Sequence, residues 1–229
     1  KPVFADISWK NLALDLEEVE KKISSRTKAV FLTHILGLHG LSEKLLEICR
    51  SRGIPLIEDA CESYGATHGG KRIGSFGLAA NFSFYYGHHM STVEGGMIST
   101  DDDELFQALR MLRSHGLVRE NDDPAARDRW AADCPDLHPD FIFALPGFNF
   151  RNNEMQAVLG RQQLRKLDER NLLRVRNNEE FMRCLDPGKY FVDFDLRGSV
   201  SYAFLLVVHP ARRDLDSAAA KVAARLTEL

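Results

Sequence analysis

Long apolar runs are missing from this sequence. The longest, such as residues 203–208, are too short to cross a bilayer. Net charge is nearly missing as well: 30 Lys+Arg against 33 Asp+Glu leave −3 over 229 residues. That balance gives no electrostatic footprint for nucleic acid or an anionic membrane surface. Cysteine is scarce. Cys49, Cys61, Cys134 and Cys184 stand far apart with no C-x-x-C pair, which argues against a disulfide framework or a zinc site and makes a reducing cytoplasm the simplest compartment. No Gly-x-Gly-x-x-Gly occurs, so a plain dinucleotide binder is dropped. What remains is ordinary globular sequence, 44% hydrophobic and 28% charged, which excludes a disordered tail, a collagen-like fibre and a coiled-coil rod. The length suits one large domain, or one domain and part of another. The chain opens on Lys1 and closes inside a helical pattern, so a fragment of a longer protein is expected.

The first half alternates two periodicities. Leu12, Leu16, Val19 and Ile23 make one stripe of a helix. Residues 29–35 form a continuous apolar run, the pattern of a buried parallel strand. Ser42 predicts a helix start, Leu45, Leu46 and Cys49 its inner face, and Gly53 its stop. Residues 54–57 predict a strand that delivers Glu58 and Asp59 to its C-terminal end. Residues 79–86 and 97–100 predict two more, and the acidic run 101–104 opens a further helix with Leu105, Ala108, Leu109 and Leu112 inward. This rhythm predicts an α/β fold with a mostly parallel sheet and helices on both faces. The second half differs. Residues 120–139 read as a long loop, residues 153–185 as a long helical stretch broken near 168–171, residues 190–194 and 202–208 as strands, and a last helix begins near Asp214. The change near Phe148 suggests two parts, residues 1–148 and 149–229.

Chemistry concentrates at two places. Asp59 follows a strand, where ligands of open α/β sheets bind, and could hold a charged ring nitrogen; it could equally cap a helix. Residues 82–96 end a strand in a turn of hydroxyls, imidazoles and glycines. Ser83 and Ser91 could donate to a phosphate, and His88 could move a proton near neutral pH. Of the adjacent His88 and His89, one is expected to line a site. A metal held by His88, His89 and Glu94 is not expected, because adjacent histidines rarely share one ion.

These residues resemble a family. Residues 58–66 (EDACESYGA), 74–77 (GSFG), 82–85 (FSFY), 94–96 (EGG) and 146–157 (PGFNFRNNEMQA) are similar, in order and spacing, to the DegT/DnrJ/EryC1/StrS sugar aminotransferase family, over residues 3–185. The resemblance implies the type I fold of pyridoxal-phosphate enzymes and a homodimer with shared active sites. The smaller domain would be partial here. It implies Asp59 on the pyridinium nitrogen, Glu62 beside the cofactor, Ser83 on the phosphate, and Asn149 reaching the neighbouring subunit's site. A further phosphate-binding segment and a ring-stacking aromatic would lie upstream of Lys1.

One position departs from the family's aminotransferases, which place the Schiff-base lysine five residues after the serine. Here that position is His88. The sequence is similar on this point to the histidine-containing branch, 3-dehydratases of nucleotide-linked 4-keto-6-deoxyhexoses. Glu62 fits that branch. Its cluster-free kind suits these four cysteines better than the iron–sulfur kind. The resemblance then implies pyridoxal and pyridoxamine 5′-phosphate as cofactor forms, L-glutamate as amino donor, His88 as the proton-transferring base, and a 4-keto-3,6-dideoxy sugar for surface polysaccharide as product. The nucleotide, GDP or CDP, is not legible. A nucleotide-sugar aminotransferase and a non-catalytic homologue that binds a nucleotide sugar are the alternatives.

Overall fold

The computed structural model describes residues 1–209, 211 and 212. Along the chain run α1 (Leu16–Lys22), β1 (Val30–Thr33), α2 (Glu43–Ser51), β2 (Leu56–Asp59), β3 (Thr67–His68), β4 (Lys71–Arg72), β5 (Ala79–Ser83), β6 (Gly96–Thr100), α3 (Asp103–Leu112), α4 (Pro124–Asp133), α5 (Glu154–Leu164) and α6 (Leu167–Cys184). The main sheet has the order β1-β2-β5-β6, and β3 and β4 form a separate hairpin. β1, β2 and β5 are parallel, and β6 runs antiparallel to β5. The mostly parallel α/β architecture is therefore as the sequence predicts.

Local chemistry sets the element bounds. Ser42 caps α2 by accepting from the Leu45 amide, and Leu45, Ile48 and Cys49 turn inward. α1 starts later than its stripe predicts: Leu12 sits at φ 55°, and Asp15 caps the helix by accepting from the Glu17 and Glu18 amides. β1 is not buried on both faces. Leu32 is fully buried, whereas Phe31 is 55% exposed, because the core lies on the α2 side. In α3 the buried residue is Met111, and the leucine set is half-buried.

The expected loop at residues 120–139 contains α4. Asp123 accepts from the Ala125 amide and Pro124 takes the first turn, so this proline opens a helix instead of interrupting one. The break between α5 and α6 falls at Arg165 and Lys166, ahead of 168–171, with Lys166 at φ −107°, ψ −1° and no side-chain cap. The two strands expected after Pro187 reduce to one bridge, Tyr190 with Val208. Beside that bridge the Phe191 amide bonds the Val207 carbonyl at 2.8 Å, while the adjoining chain is drawn elsewhere: the Asp195 amide bonds the Lys10 carbonyl at 2.7 Å, and the Tyr202 amide bonds the Leu36 carbonyl at 3.0 Å. The helix expected near Asp214 lies outside the described residues.

Residues 195–202 thus fold back on the first half. The Val200 amide bonds the Gly37 carbonyl at 2.9 Å. Gly37, at φ +86°, could carry no side chain, since a Cβ there would lie 1.9 Å from the Val200 carbonyl oxygen. The core joins Leu32, Leu45, Cys49, Leu56, Ala60, Ile73 and Val200. Leu45→Ala leaves a cavity that these neighbours fill only in part, and we expect a loss of about 2–5 kcal/mol in urea titration. No described helix is long and apolar enough to cross a membrane.

Candidate active site

The parallel strands bring their C-terminal ends to one edge of the sheet. The register sets Asp59 opposite Thr33 on one side and Asn81 on the other. Asp59 Oδ1 accepts from Asn81 Nδ2 at 2.9 Å and from the Cys61 amide at 3.2 Å. Oδ2 has no hydrogen-bond partner among the described residues, so the carboxylate is aimed by one oxygen and available through the other. No helix follows Asp59. It closes a turn, and the helix-cap alternative falls. Asn81 Nδ2 also reaches the Cys61 sulfur at 3.2 Å. Burial, then the Asp59 carboxylate, push the Cys61 thiol up to about 12, so it stays protonated.

Behind Asp59 lies a fully buried pair. Glu58 accepts from the Gly74, Phe76 and Gly77 amides, each at 2.8 Å, and faces His34 Nε2 at 3.2 Å. The Gly40 amide donates to His34 Nδ1 at 3.0 Å, which assigns the imidazole proton to Nε2 and makes Nε2 the donor to Glu58. Burial pushes the Glu58 carboxyl up, but the bonds from His34 and the three amides outweigh it and hold its pKa below the usual value.

The second cluster follows β5. The Tyr64 hydroxyl donates to the Ser83 carbonyl at 2.7 Å and fixes the strand end. Ser83 Oγ accepts from the Tyr85 amide at 3.2 Å. The turn closes through the Phe84 amide on the Gly95 carbonyl and the Thr92 amide on the Phe84 carbonyl, both at 2.9 Å. From the later motif, Gln156 Nε2 holds the Glu94 carbonyl at 2.7 Å and Asn152 Nδ2 the Gly96 carbonyl at 2.8 Å. Two blocks far apart in sequence are therefore one structural unit.

His88 sits between two aromatic rings, Tyr85 at 6.0 Å and Tyr202 at 5.4 Å between centroids. Its Nδ1 is shut from solvent without a hydrogen-bond partner, and Nε2 has none among the described residues. Both His88 and His89 border an open depression of about 530 Å³ together with Tyr86, Ser91 and Arg174. His89 is only 4% exposed. Burial, then the Arg174 guanidinium, push its pKa down to about 4, so it is neutral at physiological pH.

The two other candidate residues lie apart from these contacts. Glu62 Oε2 accepts from the Leu36 amide at 2.6 Å. Asn149 is exposed and bridges to Ser114 through its backbone. Sequence reasoning misses Asn81, Tyr64, His34 and Tyr202. Asn81 becomes visible only once the β2–β5 register is known, and the others arrive through tertiary packing.

Comparison with known proteins gives the family. The sequence model of the DegT/DnrJ/EryC1/StrS aminotransferase family matches residues 1–228. The chain is 37% identical over 180 residues to a GDP-4-keto-6-deoxy-D-mannose 3-dehydratase of Escherichia coli, covering 78% of this chain and 46% of that protein. It is 37% identical over 175 residues to a GDP-perosamine synthase of Caulobacter vibrioides, covering 76% and 42%. A crystal structure of GDP-4-keto-6-deoxymannose-3-dehydratase with a trapped PLP-glutamate geminal diamine superposes with a TM-score of 0.72 at 29% identity, covering 94% of this chain and 58% of the other. The chain spans about half the length of the curated relatives it matches. With a match over nearly its whole length, the chain belongs to the DegT/DnrJ/EryC1/StrS aminotransferase family.

Proposed function

We propose that this chain carries the base and the ring-binding carboxylate of a pyridoxal-phosphate-dependent 3-dehydratase of nucleotide-linked 4-keto-6-deoxyhexoses. One observation carries the reading. An imidazole, His88, stands five residues after Ser83, where the family's aminotransferases carry the imine-forming lysine, and its Nε2 bonds none of the described residues. Imidazole forms no stable imine but transfers protons well near neutral pH.

The residues fit the cofactor. Asp59 offers Oδ2, with Oδ1 braced by Asn81, to hold a ring nitrogen. Ser83 offers a hydroxyl whose oxygen is already fixed by the Tyr85 amide, to hold a phosphate oxygen. Glu62 would stand near the ring, and Asn149 would serve the partner subunit in a homodimer. Pyridoxal or pyridoxamine phosphate, when bound, supplies an electron sink beside the carbon that loses its proton. Asp59 keeps the ring nitrogen protonated, and His88 Nε2 accepts and returns the proton. Overall, glutamate and the 4-keto-6-deoxy sugar give 2-oxoglutarate, ammonia and a 4-keto-3,6-dideoxy sugar, and the atoms balance. The structural relative with PLP and glutamate supports that donor. The free cysteines suit a cytoplasmic enzyme. Residues 1–148 would be cofactor-binding, and residues 149–229 a connecting helix and part of a smaller domain.

The 37% identity to a GDP-perosamine synthase favours a second reading, a nucleotide-sugar aminotransferase. Product analysis separates the two. The complete protein, incubated with pyridoxal phosphate, glutamate and GDP-4-keto-6-deoxymannose, is expected to yield a sugar nucleotide lighter by one oxygen, with one ammonia released per product. Mass spectrometry and an ammonia assay check this. An amino sugar without ammonia would establish the aminotransferase instead.

A further inference from the structure

A base is useful only when it is aimed, and nothing bonded to His88 aims it. In most sites the second ring nitrogen of a working histidine is held by a carboxylate or a carbonyl. Here Nδ1 is enclosed and has no partner among the described residues, so none of them sets the direction of Nε2 by a hydrogen bond. The imidazole meets instead an edge contact with Tyr85 at 70° and a tilted contact with Tyr202 at 45°.

Tyr85 belongs to the same turn as His88. Tyr202 comes from a distant segment, and that segment is firmly seated. Its amide bonds Leu36, the Val200 amide bonds Gly37, and Arg174 Nη1 donates to the Tyr202 carbonyl at 3.0 Å. The receiving turn is itself pinned: Leu36, at φ 54°, gives its amide to Glu62. Gly87 leaves space for the tyrosine, whose hydroxyl lies 3.3 Å from where a Cβ would stand. We propose that Tyr202 is the positioning residue of His88, its ring fixing the orientation of the imidazole, and that Glu62 serves the site by holding the Leu36 turn on which the Tyr202 segment rests. This rests on the reading of His88 as the base.

The test uses the complete, cofactor-loaded protein and two variants, Tyr202→Leu, which fills the space without a ring, and Tyr202→Phe, which keeps the ring. Tyr202→Leu is expected to lower kcat about tenfold to a hundredfold, with KM within about twofold. Tyr202→Phe is expected to stay near the parent rate. The second readout is independent of turnover. In the proton NMR spectrum, ring current from Tyr202 displaces the His88 imidazole resonances. The displacement persists in Tyr202→Phe and is lost in Tyr202→Leu. Parent-like kcat in Tyr202→Leu, an unmoved His88 resonance, or failure of Tyr202→Phe to rescue would each overturn the proposal. Parent-like turnover in His88→Asn would instead strike the reading of His88 as base, while leaving the Tyr202 ring-current shift in place.

Discussion

His88→Asn is expected to reduce formation of the deoxygenated sugar by about 10²–10⁴-fold, the usual contribution of one positioned acid–base group. Cofactor affinity should change little. Asparagine keeps a planar polar side chain, and the groups proposed to hold the cofactor, Asp59 and Ser83, make their hydrogen bonds without His88. Two measurements on one preparation check this: a titration of pyridoxal phosphate absorbance, and the rate of ammonia release. Loss of both binding and turnover would place His88 among the structural supports of the turn. Unchanged turnover would remove it from the chemistry.

The largest effect on stability is expected at Glu58. Glu58→Ala leaves four donors without their acceptor: the buried His34 imidazole and the half-buried amides of Gly74, Phe76 and Gly77. Each orphaned donor costs about 1–3 kcal/mol, and the four are not additive because the turn can relax. We expect a total loss of about 3–5 kcal/mol, read as a shift of the urea midpoint. Glu58→Gln should lose less, since its amide oxygen still accepts. The pH dependence has a definite sign. A carboxyl held below its ordinary pKa contributes stability that is complete above the unfolded value of about 4.3 and is lost as pH falls through the lower, folded value. Glu58→Gln should therefore flatten the acid limb of the stability curve. An acid limb identical to the parent's would show that other carboxyls carry it.

Some of this was legible in the residues and some was not, for physical reasons. The α2 helix was readable because cap, inner stripe and stop all lie within one short segment. α4 was hidden because it buries no residue, so it has no apolar stripe; its one local signal is Asp123 before Pro124. The runs near 190 and 202 carry strand-like composition, yet they pair at a single bridge, and the Asp195 and Tyr202 amides bond instead to Lys10 and Leu36, partners that no local pattern names. The same division runs through the site. Asp59, Ser83 and His88 stand in motifs whose spacing reports a strand end and a turn. Asn81 depends on the register between strands, and the Tyr202 ring on a contact between distant parts of the chain. The resemblance implied what Glu62 would be near. It could not show that its carboxylate supports a backbone turn.

The seating of residues 195–202 also orders events in time. The His39 amide bonds the Ser199 hydroxyl across 160 residues, beside the turn that receives Tyr202. At about 5–20 residues per second, a ribosome delivers that partner on the order of ten seconds after the turn itself. During that interval the sheet edge bearing Asp59 can form, but the imidazole at residue 88 has only its neighbour Tyr85 beside it. Closure of so long a loop comes late in folding as well. The nascent chain thus acquires the Asp59 strand end early and the Tyr202 contact last, so a stalled or shortened product has a sheet edge without the ring proposed to orient His88.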